Sequence, residues 1–233
     1  DVSHYIQTDD IIDLEAQERA TSVYLVDRVV PMLPEVLSNN LCSLRPNEEK
    51  LCFSAVFEFN EKGKIKKEWF GKTIILSDHR FTYEDAQKVI ENKKGKLAAE
   101  LILLNKLAEQ MRFKRMQAGA ISFDRLETKF RLDEKGNIIE IYFKESKAAH
   151  KLIEEFMLLA NRKVAEFIGK QNLPFLYRVH DEPDPDKLQI FSEFLKKLGY
   201  DIQTSNRKKT ATSMNQVLAD IHGKEESNMI ETL

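Results

Sequence analysis

Apolar residues recur in this chain with two different periods, and stretches of each alternate along it. In LCFSAVFEF, residues 51–59, Leu51, Phe53, Ala55, Phe57 and Phe59 fall on one face of a strand. NEKGK then turns the chain and IKKEWFGKTIIL returns it, which predicts a hairpin with Gly63 at the left-handed position. KFRLDEKGNIIEIYF, from residue 129, repeats the design with DEKGN as its turn; shared hairpin chemistry explains the likeness better than duplication. SVYLV (22–26), AISFD (120–124) and PFLYRV (174–179) read as further short strands, and the opening DVSHYI starts in what looks like a strand.

Helical spacing fills much of the remainder. Residues 10–20 form one expected helix, and Thr82 with Asp85 makes a capping box for a second. Leu97, Leu101, Leu104, Ala108 and Met111 carry a helix over 96–117 that Gly119 ends. Ser146 is placed to cap a long helix over 147–169, with Ala149, Ile153, Phe156, Ala160, Val164 and Phe167 as its apolar stripe. DPDKLQIFSEFLKKLG is a helix closed by Gly199, TSNRKKTATS reads as a polar loop or linker, and a last helix is expected from near Thr212. The fold class that follows is α+β, with antiparallel or mixed sheet in hairpins packed against long helices.

One segment fits neither period. VVPMLPEVLSNNLCSL, residues 29–44, is rich in aliphatic side chains and is locked by Pro31 and Pro34, the latter suited to the first position of a short helical turn. It is expected to be a rigid, buried connection that holds a neighbour in place.

Length and charge narrow the classes. The chain has 233 residues, 32% of them charged, and a net charge of −2. It is long enough for a sizeable core, and it is no electrostatic magnet for nucleic acid or anionic membrane except through local patches. Cys42 and Cys52 lack paired spacing, which favours two reduced thiols and a cytoplasmic setting over a disulfide. No stretch approaches the length of a membrane span and no leader pattern opens the chain, so no membrane partner is expected. Both ends are expected to be cuts inside a larger domain.

Chemistry-bearing motifs are scarce. His4, His79, His150, His180 and His222 make no HxxxH or HExxH spacing. His180–Asp181 has no further histidines to support a metal-dependent phosphohydrolase and reads as a structural histidine at a strand end. HDEPDPD is explained by helix capping rather than by calcium binding. The basic runs at 62–72, 93–96, 112–115 and 207–209 could touch phosphates, although such runs are usually solvated faces. On the long helix, Glu155 has Lys151 one turn back and reads as a solvated pair, whereas His150, Glu154 and Asn161 form a polar strip, either an exposed flank or a carboxylate lining a groove. No catalytic residue and no metal ligand is assigned within the chain.

TSVYLVDRVVPMLPEVLSNNLCSLRP, RFTYEDAQ, KFRLDEKG, HKLIEEFMLLAN and LYRVHDEPDPDKL, taken in order, resemble the catalytic RNB domain of the ribonuclease II and ribonuclease R family, with the closer likeness to ribonuclease R. The resemblance implies part of a processive hydrolytic 3′→5′ exoribonuclease that threads single-stranded RNA, 3′ end first, and releases nucleoside 5′-monophosphates. It implies that Tyr24 stacks on the terminal bases beside the two-proline wall, that Phe123 clamps the same stack from the other side, and that Tyr83 and Glu154 read the ribose. Stacking contributes about 1–3 kcal/mol per base, and a carboxylate accepting from a 2′-hydroxyl separates RNA from DNA. The family's aspartate cluster, of the form TIDxxDARDFDD, and its SPIRRYPD motif are absent from the 233 residues. Mg²⁺ is therefore expected in the intact parent and not in this chain, which alone is expected to be inactive. No obligate protein partner is implied. The alternative is a non-catalytic RNA- or protein-binding module built on the same fold.

Overall fold

Strands β3 (Glu49–Phe59) and β4 (Ile65–Leu76), which follow the helices and short strands of residues 1–48, pair antiparallel, with Phe53 opposite Lys72 and Val56 opposite Trp69. Their turn closes as the sequence predicts. The Asn60 side-chain carbonyl accepts from the backbone N–H groups of Lys62 and Lys64, each at 3.0 Å, and Gly63 has φ 65°. Across the ribbon the Ser54 and Thr73 hydroxyls meet at 2.6 Å. A Cβ at Gly71 would stand 2.6 Å from the Trp69 ring, so glycine there gives the indole room to lie along its own strand.

The structure is a computed structural model and describes residues 1–121, 127–179, 181–224 and 226–232. Before the ribbon come helix α1 (Ile11–Arg19), capped by the Asp10 carboxylate on the Asp13 N–H, and a two-residue pairing of β1 (Val23–Tyr24) with β2 (Val29–Val30). The opening residues are not a strand. Val2–His4 is a 3₁₀ turn, in which Ser3 spends its hydroxyl on the Asp1 carboxylate at 2.7 Å, and the Asp1 ammonium is tied to the Leu51 carbonyl of β3.

After the ribbon come α2 (Tyr83–Asn92) and α3 (Ala98–Gln117), then a second ribbon of β5 (Glu127–Leu132) and β6 (Ile138–Lys144). Its turn is organised by Asp133, which accepts from the N–H groups of Lys135 and Asn137 at 2.9 and 2.8 Å. Helices α4 (Ala148–Lys170), α5 (Pro185–Lys197), α6 (Arg207–Ile221) and α7 (Ser227–Thr232) complete the described chain. The α+β expectation holds, and among the described residues the sheet is divided among three separate two-stranded antiparallel ribbons.

The chain divides into two compact units. The first comprises Asp1–Ala98 and Leu126–Ala149, and the second Ala99–Arg125 and His150–Leu233. In the first, Lys144 of β6 reaches Glu84 of α2 at 2.9 Å, and Gln87 accepts from the Ala149 N–H, so the second ribbon is fastened to α2. In the second, Leu195, Ile202, Val217, Ile221 and Ile230 form a buried cluster, with Leu188, Phe191 and Met214 packed on it. The Asp184 carboxylate caps α5 on the Asp186 and Lys187 N–H groups, which is the role expected for the acidic run, and Gly199 closes the end at φ 86°.

Several expectations need correction. PFLYRV is not a strand: it is extended without a ladder partner among the described residues, Pro174 lacks a donor, and Leu176 is 95% exposed. TSNRKKTATS is not wholly a linker, since α6 begins at Arg207. Asn206 caps it on the Lys209 N–H, and Thr210, Thr212 and Ser213 turn their hydroxyls onto carbonyls one turn back, so a polar string satisfies its own donors as helix. On α4 the buried line runs Ala149, Leu152, Glu155 and Leu159, rotated from the expected stripe, with Ile153 exposed. On the first ribbon Phe53 is exposed, while Lys50 and Cys52 of the opposite face are buried. That face lies beside the residue 36–41 turn, where Lys50 donates to the Asn40 carbonyl at 3.1 Å.

Both cysteines are free, Cys52 buried and Cys42 partly so. Among the described residues no helix is long and apolar enough to cross a membrane.

Candidate nucleic-acid interface

Tyr24 stands at the end of β1, paired with Val29, and the residue is 79% exposed. A large ring left on the surface by a two-residue strand is available as a stacking platform. The two-proline segment is clipped to the same hairpin. The Met32 N–H donates to the Ser22 hydroxyl at 2.9 Å, and Arg19 donates to the Pro31 carbonyl at 3.2 Å. Pro34 precedes the helical turn rather than opening it, its carbonyl accepting from the Leu37 and Ser38 N–H groups. That turn, Val36–Leu41, is π-helical, and the Cys42 N–H reaches the Leu37 carbonyl five residues back at 2.8 Å. Single π turns are rare and concentrate at functional sites. The segment is held by these hydrogen bonds but is not buried as expected. Leu37 is enclosed, whereas Val29, Val30, Val36 and Leu44 are exposed.

Tyr83 is the first residue of α2. Thr82 fixes it there by accepting from the Asp85 N–H at 3.1 Å, and its hydroxyl donates to the Asp85 carboxylate at 2.8 Å. The reciprocal contact of the capping box thus goes to the hydroxyl, and it holds the Asp85 carboxyl below its usual range, with Lys88 adding to the effect. The Lys144 ammonium lies 5.8 Å from the centre of the Tyr83 ring.

Glu154 lies on α4 in the second unit. The sequence reading treats Glu155 as a solvated partner of Lys151, and the structure reverses this. Glu155 is 3% exposed and points to α3, where Arg115 forks onto it, Nε at 3.1 and 3.3 Å from its two oxygens and Nη2 at 2.5 Å. The same Nη2 donates to Glu154 Oε1 at 3.1 Å, while the Glu154 side chain is 41% exposed. The Glu155 hydrogen bond raises the Arg115 pKa above its ordinary value, against partial desolvation. Two carboxylates share one guanidinium, so the triad carries a net negative charge, and its solvent-facing member is Glu154.

Arg115 is the residue that sequence reasoning missed. It sits in the run 112–115, expected to be a solvated face, and its partners lie 39 and 40 residues away, beyond any helical spacing. Tyr24 and Tyr83 belong to the first unit and Glu154 to the second, whereas Phe123 and His180 lie outside the described residues. Among the described residues no three His, Cys, Asp or Glu side chains come together as a metal site.

Antiparallel ribbons and long helices thus carry exposed aromatics and a clamped carboxylate at the quoted motifs. The chain belongs to the RNB domain family, which matches residues 1–233. It is 41% identical over 225 residues to DIS3-like exonuclease 2 of Schizosaccharomyces pombe, covering 88% of this chain and 24% of that protein. It is 36% identical over 239 residues to Ribonuclease R of Aquifex aeolicus, covering 100% of this chain and 34% of that protein. Among solved structures it matches Mycoplasma genitalium RNase R in complex with ribose methylated single-stranded RNA, with a TM-score of 0.89, 29% identity, and coverage of 99% of this chain and 37% of that one. The chain thus spans about a quarter to about a third of the length of these curated relatives.

Proposed function

We propose that this chain is the RNA-reading part of a longer ribonuclease R-like exoribonuclease that takes single-stranded RNA 3′ end first and hydrolyses it to nucleoside 5′-monophosphates. The observation that carries the reading is Glu154, an outward carboxylate held by Arg115, in a chain of which 99% is matched by an RNase R solved with single-stranded RNA. A fixed anion at the surface accepts a hydroxyl donor, and the 2′-hydroxyl is the donor that DNA lacks. Tyr24 and Phe123 supply stacking that tolerates any base, and the family resemblance assigns Tyr83, as it does Glu154, to reading the ribose. Cleavage, and the magnesium that assists it, are assigned to groups outside these residues.

In the intact parent, Tyr24→Ala is expected to lengthen the limit product, because the last bases lose their platform, and Glu154→Ala is expected to relax discrimination against DNA. Gel analysis of end products on matched RNA and DNA strands checks both, and wild-type behaviour by both variants would remove these assignments. The chain by itself is expected to release no mononucleotide from labelled poly(A) in Mg²⁺. Release at a rate that tracks the protein through purification would refute this.

A further inference from the structure

We infer that Arg115 is a positioning residue for ribose recognition: by bridging Glu155 and Glu154 it presents the Glu154 carboxylate to the substrate in one fixed orientation. The inference rests on the proposed reading of Glu154 as the group that accepts from the sugar.

The geometry separates two tasks within one guanidinium. Nε and one hydrogen of Nη2 are directed to Glu155, which is nine-tenths or more buried, so the head group is anchored by a carboxylate that cannot itself meet a ligand. The second hydrogen of Nη2 is left to Glu154 Oε1. A glutamate has three rotatable side-chain bonds, and ordering it on ligand arrival costs free energy that an already clamped side chain has lost beforehand. The clamp occupies Oε1, and Oε2 has no hydrogen bond among the described residues. It also sets the charge. Without Arg115 two adjacent carboxylates would face each other with no cation between them, and Glu154 would turn away from Glu155. A lysine ammonium could bridge two carboxylates but would not hold them in fixed directions, since the fork and the lateral hydrogen are fixed in one plane only in arginine.

The test uses the intact parent and measures the ratio of degradation rates on a single-stranded oligoribonucleotide and on the oligodeoxyribonucleotide of the same sequence. Glu154→Gln is expected to lower the RNA preference about tenfold, the scale of one hydrogen bond to a charged group. Arg115→Met strands Glu155 and threatens the fold, so two doubles, Arg115→Met/Glu155→Leu and Arg115→Met/Glu155→Gln, remove the buried charge as well. Both are expected to keep a near wild-type denaturation midpoint and yet lose the RNA preference to the extent seen for Glu154→Gln. If a folded double keeps the wild-type preference while Glu154→Gln loses it, the positioning role is overturned and the reading of Glu154 stands. If Glu154→Gln itself keeps the preference, the reading of Glu154 fails and the inference fails with it.

Discussion

Arg115→Met is expected to destabilise the second unit by about 3 kcal/mol. The penalty does not measure the strength of the ion pair. It arises because Glu155, 3% exposed, keeps its charge inside the protein with no cation to compensate it. Removing the second charge should therefore repair most of the damage, and Arg115→Met/Glu155→Leu is expected to unfold close to the wild-type midpoint. Lys67, which pairs with Glu58 at 3.5 Å on the open surface, provides the contrast, since Lys67→Met should cause no measurable change. Urea denaturation followed by far-ultraviolet circular dichroism distinguishes the cases. An Arg115→Met protein as stable as the wild type would show that Glu155 finds another partner or accepts a proton without cost.

Leu195→Ala is the second large effect, also about 3 kcal/mol and worth a fall in melting temperature on the order of 10 °C. Leu195 is 0% exposed at the centre of the cluster formed by Ile202, Val217, Ile221 and Ile230. These neighbours come from α6, α7 and the connection after α5, so truncation leaves a void that several elements would have to move together to fill. Leu176, in the same unit and 95% exposed, should tolerate the identical truncation. Calorimetry of both variants decides the matter. Equal melting temperatures for the two would mean that the cluster does not hold the C-terminal helices together.

The contrast between these two leucines also shows what could be read in advance. Hairpins were legible because their information is local: Asn60 and Gly63, or Asp133 and Gly136, specify a turn within five residues, and alternation does the rest. Helix starts at Asp10, Thr82 and Asp184 were legible or nearly so for the same reason. PFLYRV has the composition of a strand, but a strand needs a neighbour, and composition carries no information about neighbours. α6 was shortened in the reading because its first turns are polar, and self-capping by Thr and Ser leaves no apolar period to find. At the candidate site, Tyr24, Tyr83 and Glu154 came from motif resemblance, which places residue types and not contacts. The assignment of Glu155 to solvent followed from looking one turn away, when the deciding charge was on another helix.

Trp69 lies half-exposed along the first ribbon, in the space left by Gly71, and it is the chain's single tryptophan. Indole fluorescence of this protein is thus a spectroscopic probe located in the first unit. Emission recorded during unfolding will follow the ribbon, whereas the backbone signal also follows the helices around Leu195 and Arg115, so an optical transition and a backbone transition that do not coincide will show that the two units melt separately.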